Sequence, residues 1–135
     1  MLQFYFLSVL VNALAGYLLF FGEEGIHLEF KSTVSIKPEN FRFAVGITSA
    51  ITGLLKLLSP VEGDVLIIGD LIPAAMGLLC GLSLILEYYR RRSTVENTEQ
   101  PEKIEKILVS KKKIIGASAL VVAVLHFLVP RVLLL

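Results

Sequence analysis

The 135-residue chain is 55% hydrophobic, with a mean hydropathy of +0.75 and a formal net charge of +1. Soluble domains hold ~45–50% apolar residues, and a core of this size cannot hide the excess, so lipid must cover it. The near-neutral charge points to no nucleic-acid partner, and the single cysteine, Cys80, excludes an internal disulfide framework and a CxxC metal or redox motif.

A helix needs ~20 mostly apolar residues to cross ~30 Å of hydrocarbon. The first such stretch covers residues 2–21. Ala13-Leu14-Ala15 resembles a signal-peptidase site, but no basic residues precede it and the apolar run continues through Tyr17 to Phe21. An uncleaved span is the better reading. Asn12 and Gly16 give it a polar and a small position. The connection over residues 22–40 alternates Ile26, Leu28 and Phe30 with His27, Glu29 and Lys31. That pattern fits a short strand or hairpin at the membrane surface, or an irregular interfacial loop.

The second span, residues 41–58, reaches full length if Phe41 and Arg42 sit in the interface with Arg42 extended towards headgroups. Gly46, Ala50 and Gly53 make its small-residue face. A turn at Ser59–Asp64 leads to the third span, residues 65–86. There Gly69, Pro73, Gly77 and Gly81 recur every four residues, a stripe that lets another helix approach closely. Pro73 should kink this helix or free a carbonyl near Gly69. Cys80 reads as a small packing residue.

Residues 87–113 form the second long connection. Tyr88 and Tyr89 stand beside Arg90, Arg91 and Arg92, as in an aromatic belt. After the polar stretch Ser93–Gln100, Pro101-Glu102 suits the first turn of a helix. Ile104, Ile107 and Leu108 then make an apolar stripe, so the fourth span begins as an amphipathic helix. Lys111, Lys112 and Lys113 complete a basic set that fixes topology or meets anionic headgroups at ~1 kcal/mol each. The fourth span, residues 114–134, carries Gly116, Ala119, Ala123 and His126.

The chain therefore reads as an all-α integral membrane protein, a compact bundle of four transmembrane helices in one membrane domain. Helices are the expected spanning form because backbone in lipid must satisfy its own hydrogen bonds. Lys and Arg crowd the two long connections, whereas the short turn holds none and the tail only Arg131. The positive-inside rule places residues 22–40 and 87–113 in the cytoplasm and both termini outside the cell membrane.

An internal duplication is visible. Leu10–Gly16 lies over Leu71–Gly77, Val45–Thr48 over Ile115–Ser118, and Lys56–Pro60 over His126–Pro130. Each unit would be a helical hairpin, and the two would be parallel, related by an axis along the membrane normal.

Ionisable groups within spans cost ~2.5–3.5 kcal/mol on insertion scales, so each asks for a partner or a role. Lys56 and Asp70 come to similar depth in a hairpin folded at Ser59–Asp64, and His126 and Asn12 add polar groups. This cluster is either a structural ion pair with neighbours or a solute or ion site. No HExxH, GxSxG, P-loop or GxGxxG motif occurs, so neither a catalytic residue, a metal nor a cofactor is expected. The expected partners are the bilayer and other membrane subunits, or a second copy of the chain. A non-enzymatic accessory, scaffold or regulatory subunit is the leading reading. A small-solute or ion transporter or channel, working as a homo-oligomer through the polar cluster, is the alternative.

Overall fold

In the computed structural model, which describes residues 2–22, 38–58, 71–92 and 103–129, the chain forms five helices and no strand among those residues. They are α1 (Leu2–Phe21), α2 (Pro38–Leu58), α3 (Leu71–Arg92), α4 (Lys103–Ser110) and α5 (Lys112–Leu128). Three segments are long and apolar enough to cross a membrane, namely Gln3–Phe21, Glu39–Leu58 and Leu71–Arg92. The 17 helical residues of α5 rise ~25 Å, a little short of a full crossing; residues 130–135 lie outside the described residues.

Helix ends follow local chemistry. Helix α2 starts three residues before its expected boundary because Pro38 is pre-organised for a first helical position and Glu39 complements the dipole there. Helix α3 runs on to Arg92, past the expected end at residue 86, with Arg90, Arg91 and Arg92 favourable in its last turn. Pro73 stands in the first turn of α3 as described, where a missing N–H costs little; the stretch before it, where the expected kink or freed carbonyl near Gly69 would fall, lies outside the described residues. The amphipathic segment before the fourth span is a helix of its own, α4. Lys111 separates it from α5, yet Lys111 N–H still donates to Ile107 O and Ile115 N–H to Lys111 O, both at 3.0 Å. The junction is thus a bend. Of the expected stripe only Leu108 is buried; Ile104 and Ile107 are exposed. The alternating segment 26–36 lies outside the described residues, as do the turn 59–64, Gly69 and Asp70.

Successive long helices run antiparallel, so one end of the bundle holds the start of α1 and the end of α5, and the other holds the basic residues. The most extensive packing joins α2 to α3 and α1 to α5, while α1 and α3 run parallel and touch along the middle. Consecutive helices α1 and α2 meet less. The closest pairs are those in which small residues face small residues, as expected where hydrophobic drive between helices is weak.

The two close crossings share one geometry. A Cβ built on Gly16 would stand 2.9 Å from Gly116 O and 3.1 Å from Leu120 N; one on Gly81 would stand 2.7 Å from Gly46 O and 2.6 Å from Ala50 N. In the opposite sense, Gly116 faces Gly16 O at 2.7 Å and Leu19 Cβ at 3.0 Å, and Gly46 faces Gly81 O at 3.2 Å and Leu84 Cβ at 2.9 Å. By contact, then, Gly46 corresponds to Gly116 as the sequence comparison has it. Gly16 corresponds to Gly81, one helical turn beyond the Gly77 with which the sequence comparison aligns it. Between the crossings sits the core of Ala15, Leu18, Leu19, Val45, Cys80, Leu84 and Ala119.

Candidate functional site

At the basic end, α1 stops at Gly22, whose φ of 64° lets its N–H return to Leu18 O at 3.2 Å. That turn leaves carbonyls carrying the negative end of the helix dipole. Arg42, in the second turn of α2, points straight at them. Its Nη1 donates to Leu18 O at 2.9 Å and Gly22 O at 3.1 Å, and its Nη2 to Glu87 Oε2 at 2.7 Å. The planar fork of guanidinium donors suits this three-way demand. The other carboxylate oxygen of Glu87 accepts from Arg91 Nη2 at 3.1 Å and lies 3.5 Å from Lys112 Nζ. One half-buried carboxylate thereby ties α2, α3 and α5 together, with α1 held through Arg42.

Arg42 is 4% exposed, so it does not reach for headgroups from the interface as the length of the second span suggested. A buried guanidinium needs a carboxylate and carbonyls more than a bilayer surface, and Glu87 and the end of α1 supply both. Glu87 also pairs with Arg91, four residues on, but its shortest bond is to Arg42. Nothing in the local sequence of α2 announces this. The signal that could have found it is the duplication, because the match of Gly46 to Gly116 also lays Arg42 over Lys112, and both donate to Glu87.

Around this network, Phe43 stacks on Tyr88 with ring centroids 4.2 Å apart, and the Arg92 guanidinium lies 5.1 Å over the same ring, a cation–π contact. Arg90 and Arg91 line a cleft with Lys112 between α3 and the α4–α5 bend. Lys111 and Lys113 are exposed.

The opposite end brings together two of the sequence-derived site residues. Lys56 Nζ lies 3.2 Å from Nε2 of the buried His126. An ammonium only donates, so a charged Lys56 requires Nε2 to accept. Tyr5, which the sequence did not single out, joins them. Its hydroxyl donates to His126 O at 2.6 Å, with Phe127 O at 3.1 Å, and its ring packs 4.9 Å from the imidazole. These are carbonyls of the last turn of α5, which have no helical partner. Asp70 lies outside the described residues, and with it the expected ion pair to Lys56.

Asn12 does not belong to this cluster. It sits two turns further along α1, ~10 Å deeper, and its Nδ2 donates to Pro73 O at 2.9 Å. Its Oδ1 is where a Cβ on Gly77 would meet it, at 2.9 Å. Ser49 donates to Gly77 O at 2.8 Å on the other side of α3. Gly77 therefore gives two helices access to one stretch of backbone, and Gly53 lets α2 lie against Ala74 O.

A protein-family model matches residues 1–126, nearly the whole chain. An uncharacterized protein of Treponema pallidum (strain Nichols) is 30% identical over 131 residues, covering 95% of this chain and 94% of the relative. No solved structure matches. The helices and contacts described above all fall within or beside the matched range, and the chain belongs to the family whose model spans residues 1–126, with the treponemal protein as a relative over nearly its full length.

Proposed function

We propose that the chain is a non-enzymatic, four-span component of the cell membrane that acts by assembly, as an accessory, scaffold or regulatory subunit. One observation carries this reading: four polar side chains of the bundle bond other helices, while buried Thr52 and Ser83 bond carbonyls of their own helix. Asn12 bonds α3, Ser49 bonds α3, Tyr5 bonds α5, and Arg42 bonds α1 and α3. The crossings at Gly16–Gly116 and Gly46–Gly81 are at backbone contact, which leaves no room for a solute path between those helices. Outside, α2 offers Ile47, Ile51, Leu54, Leu55 and Leu58 and α5 offers Val121, Val124, Leu125 and Leu128, all exposed. Such faces suit lipid or partner helices. On this reading α5 is the fourth span, the basic connections are cytoplasmic, and both termini are outside.

The bundle is also read as two related helical hairpins, α1–α2 and α3–α5. The like crossings support this, with Gly16 and Gly46 standing where Gly81 and Gly116 stand. In that register Asn12 corresponds to Gly77, and the two face each other, as equivalent residues beside a twofold axis between α1 and α3 would.

The alternative of transport rests on Lys56 with His126 near one end. Reconstitution in sealed vesicles decides between the two. Assembly predicts no ion or solute flux above empty vesicles for the parent chain, and a lower melting temperature for Lys56→Met. Flux in the parent that Lys56→Met or His126→Phe abolishes would replace the scaffold reading with the transport one. Pairing of Lys56 with Asp70 is checked in the same set, since Lys56→Met with Asp70→Asn should restore the assembly that either change alone loses.

A further inference from the structure

We infer that the outward side of α4, which carries Ile104 and Ile107, docks into the headgroup layer of an anionic lipid leaflet. These two isoleucines are 69% and 54% exposed, whereas Leu108 of the same helix is 5% exposed and lies against α3. Helix α4 is thus packed on one side and uncovered on the other. The uncovered side is not an isolated patch. Lys111 N–H donates to Ile107 O and Ile115 N–H to Lys111 O, both at 3.0 Å, so the helical register carries through the junction with α5. Positions three and four apart then share one side. Ile104, Ile107, Lys111, Ile114, Ser118 and Val121 follow at that spacing, and all are exposed. The side of α5 that meets acyl chains therefore continues onto α4 and turns both isoleucines towards lipid, one level nearer the water.

Charge selects the occupant. From residue 103 to 113 the chain has five lysines and one acidic residue, Glu105. Lys112 is taken by Glu87. Lys103, Lys106, Lys111 and Lys113 are exposed and form no ion pair among the described residues. Apolar side chains beside uncommitted lysines are what an amphipathic helix needs to sit among negative headgroups, and the long lysine stems can follow the apolar surface while the ammonium meets phosphate. The level agrees, because Lys112 meets Glu87 next to Tyr88 and Tyr89, the aromatic pair expected where a membrane surface crosses the bundle. A partner protein would have to bring acidic side chains to this same level, whereas the leaflet already surrounds a helix joined to α5. This inference rests on the membrane reading above.

The test uses the full chain with Cys80→Ala and either Ile107→Cys or Val121→Cys, each labelled with an environment-sensitive fluorophore. The protein is reconstituted in phosphatidylcholine vesicles with and without phosphatidylglycerol. Quenching by lipid brominated on its acyl chains reports contact with the bilayer, and quenching by neutral acrylamide reports contact with water. With phosphatidylglycerol present, the label at 107 should be quenched by the brominated lipid and shielded from acrylamide. Leaving out phosphatidylglycerol, or introducing Lys103→Gln with Lys106→Gln, should lower the ratio of shielded to exposed label about tenfold or more. Raised salt screens the same attraction without any substitution and should act in the same direction. A label at 107 that is open to acrylamide in both lipids, or equally shielded in both, would overturn docking on anionic headgroups. Shielding from acrylamide and brominated lipid alike would replace the leaflet with a covering protein. If the label at 121 also escapes the brominated lipid, the membrane reading itself fails; quenching at 121 with exposure at 107 would refute this inference alone.

Discussion

Gly81→Leu will pull α2 and α3 apart and lower the melting temperature of the bundle far more than a substitution on an exposed helix face. Even the first carbon of the new side chain would lie 2.6 Å from Ala50 N and 2.7 Å from Gly46 O. Both contacts are with backbone, which cannot swing aside as a side chain can. Overpacking typically costs ~1–3 kcal/mol, occasionally more, and here the relief is a separation of two helices along their most extensive interface. Set against a total stability of ~5–15 kcal/mol, that loss is severe. Gly16→Leu, at the matching crossing of α1 on α5, should behave alike, whereas Leu79→Ala on an exposed face of α3 should cost far less. Thermal unfolding in one detergent measures all three. A Gly81→Leu protein that melts with the parent would mean that α2 and α3 are not in backbone contact.

Arg42→Leu is expected to be the most damaging change at the basic end. It removes the short bond to Glu87 and both donors to the end of α1. Breaking one side of a buried pair costs ~3–5 kcal/mol because the remaining charge is left uncompensated. Arg91 and Lys112 still reach Glu87, but from half-exposed positions that stabilise weakly. Neither is bonded to Leu18 or Gly22. Arg42→Lys should fall between, since an ammonium keeps the charge without the planar fork. The discriminating variant is Arg42→Leu combined with Glu87→Leu, which removes the orphaned carboxylate and should regain a large part of the loss. A double variant no more stable than Arg42→Leu would show that the pair is not what holds these helices.

The long helices were legible because apolar runs of spanning length leave few alternatives to helix. Leu2–Phe21 matches its expected bounds and the second span ends at Leu58 as expected, while the start of α2 and the end of α3 moved by a few residues where Pro38 and the Arg90–Arg92 triplet extended them; the start of the third span and the end of the fourth lie outside the described residues. Which helix packs closest on which was less legible. Chain order suggested close packing of consecutive spans, which holds for α2 on α3, but the glycine face of α1 turns towards α5 rather than α2. The register between the halves slipped by one turn for a related reason. Gly77 and Gly81 are both small, both on one stripe, and only the backbone contacts tell which of them plays the part of Gly16. For the site, Lys56 and His126 were readable as costly polar groups near one depth. Tyr5 was hidden by its apolar ring, and Arg42 by its place at the edge of a span, where an arginine is as easily explained by headgroups as by a carboxylate one helix away.

Accessibility of single cysteines tests the four-span arrangement most directly. In a Cys80→Ala background, cysteines placed singly at Ser35, Glu62, Asn97 and Leu135 would be labelled with a membrane-impermeant maleimide in intact cells and again after lysis. The four-span bundle predicts labelling of positions 62 and 135 in intact cells, with 35 and 97 reacting only after lysis. If 97 and 135 respond together, α5 does not cross the membrane, and the account of two matching hairpins is wrong.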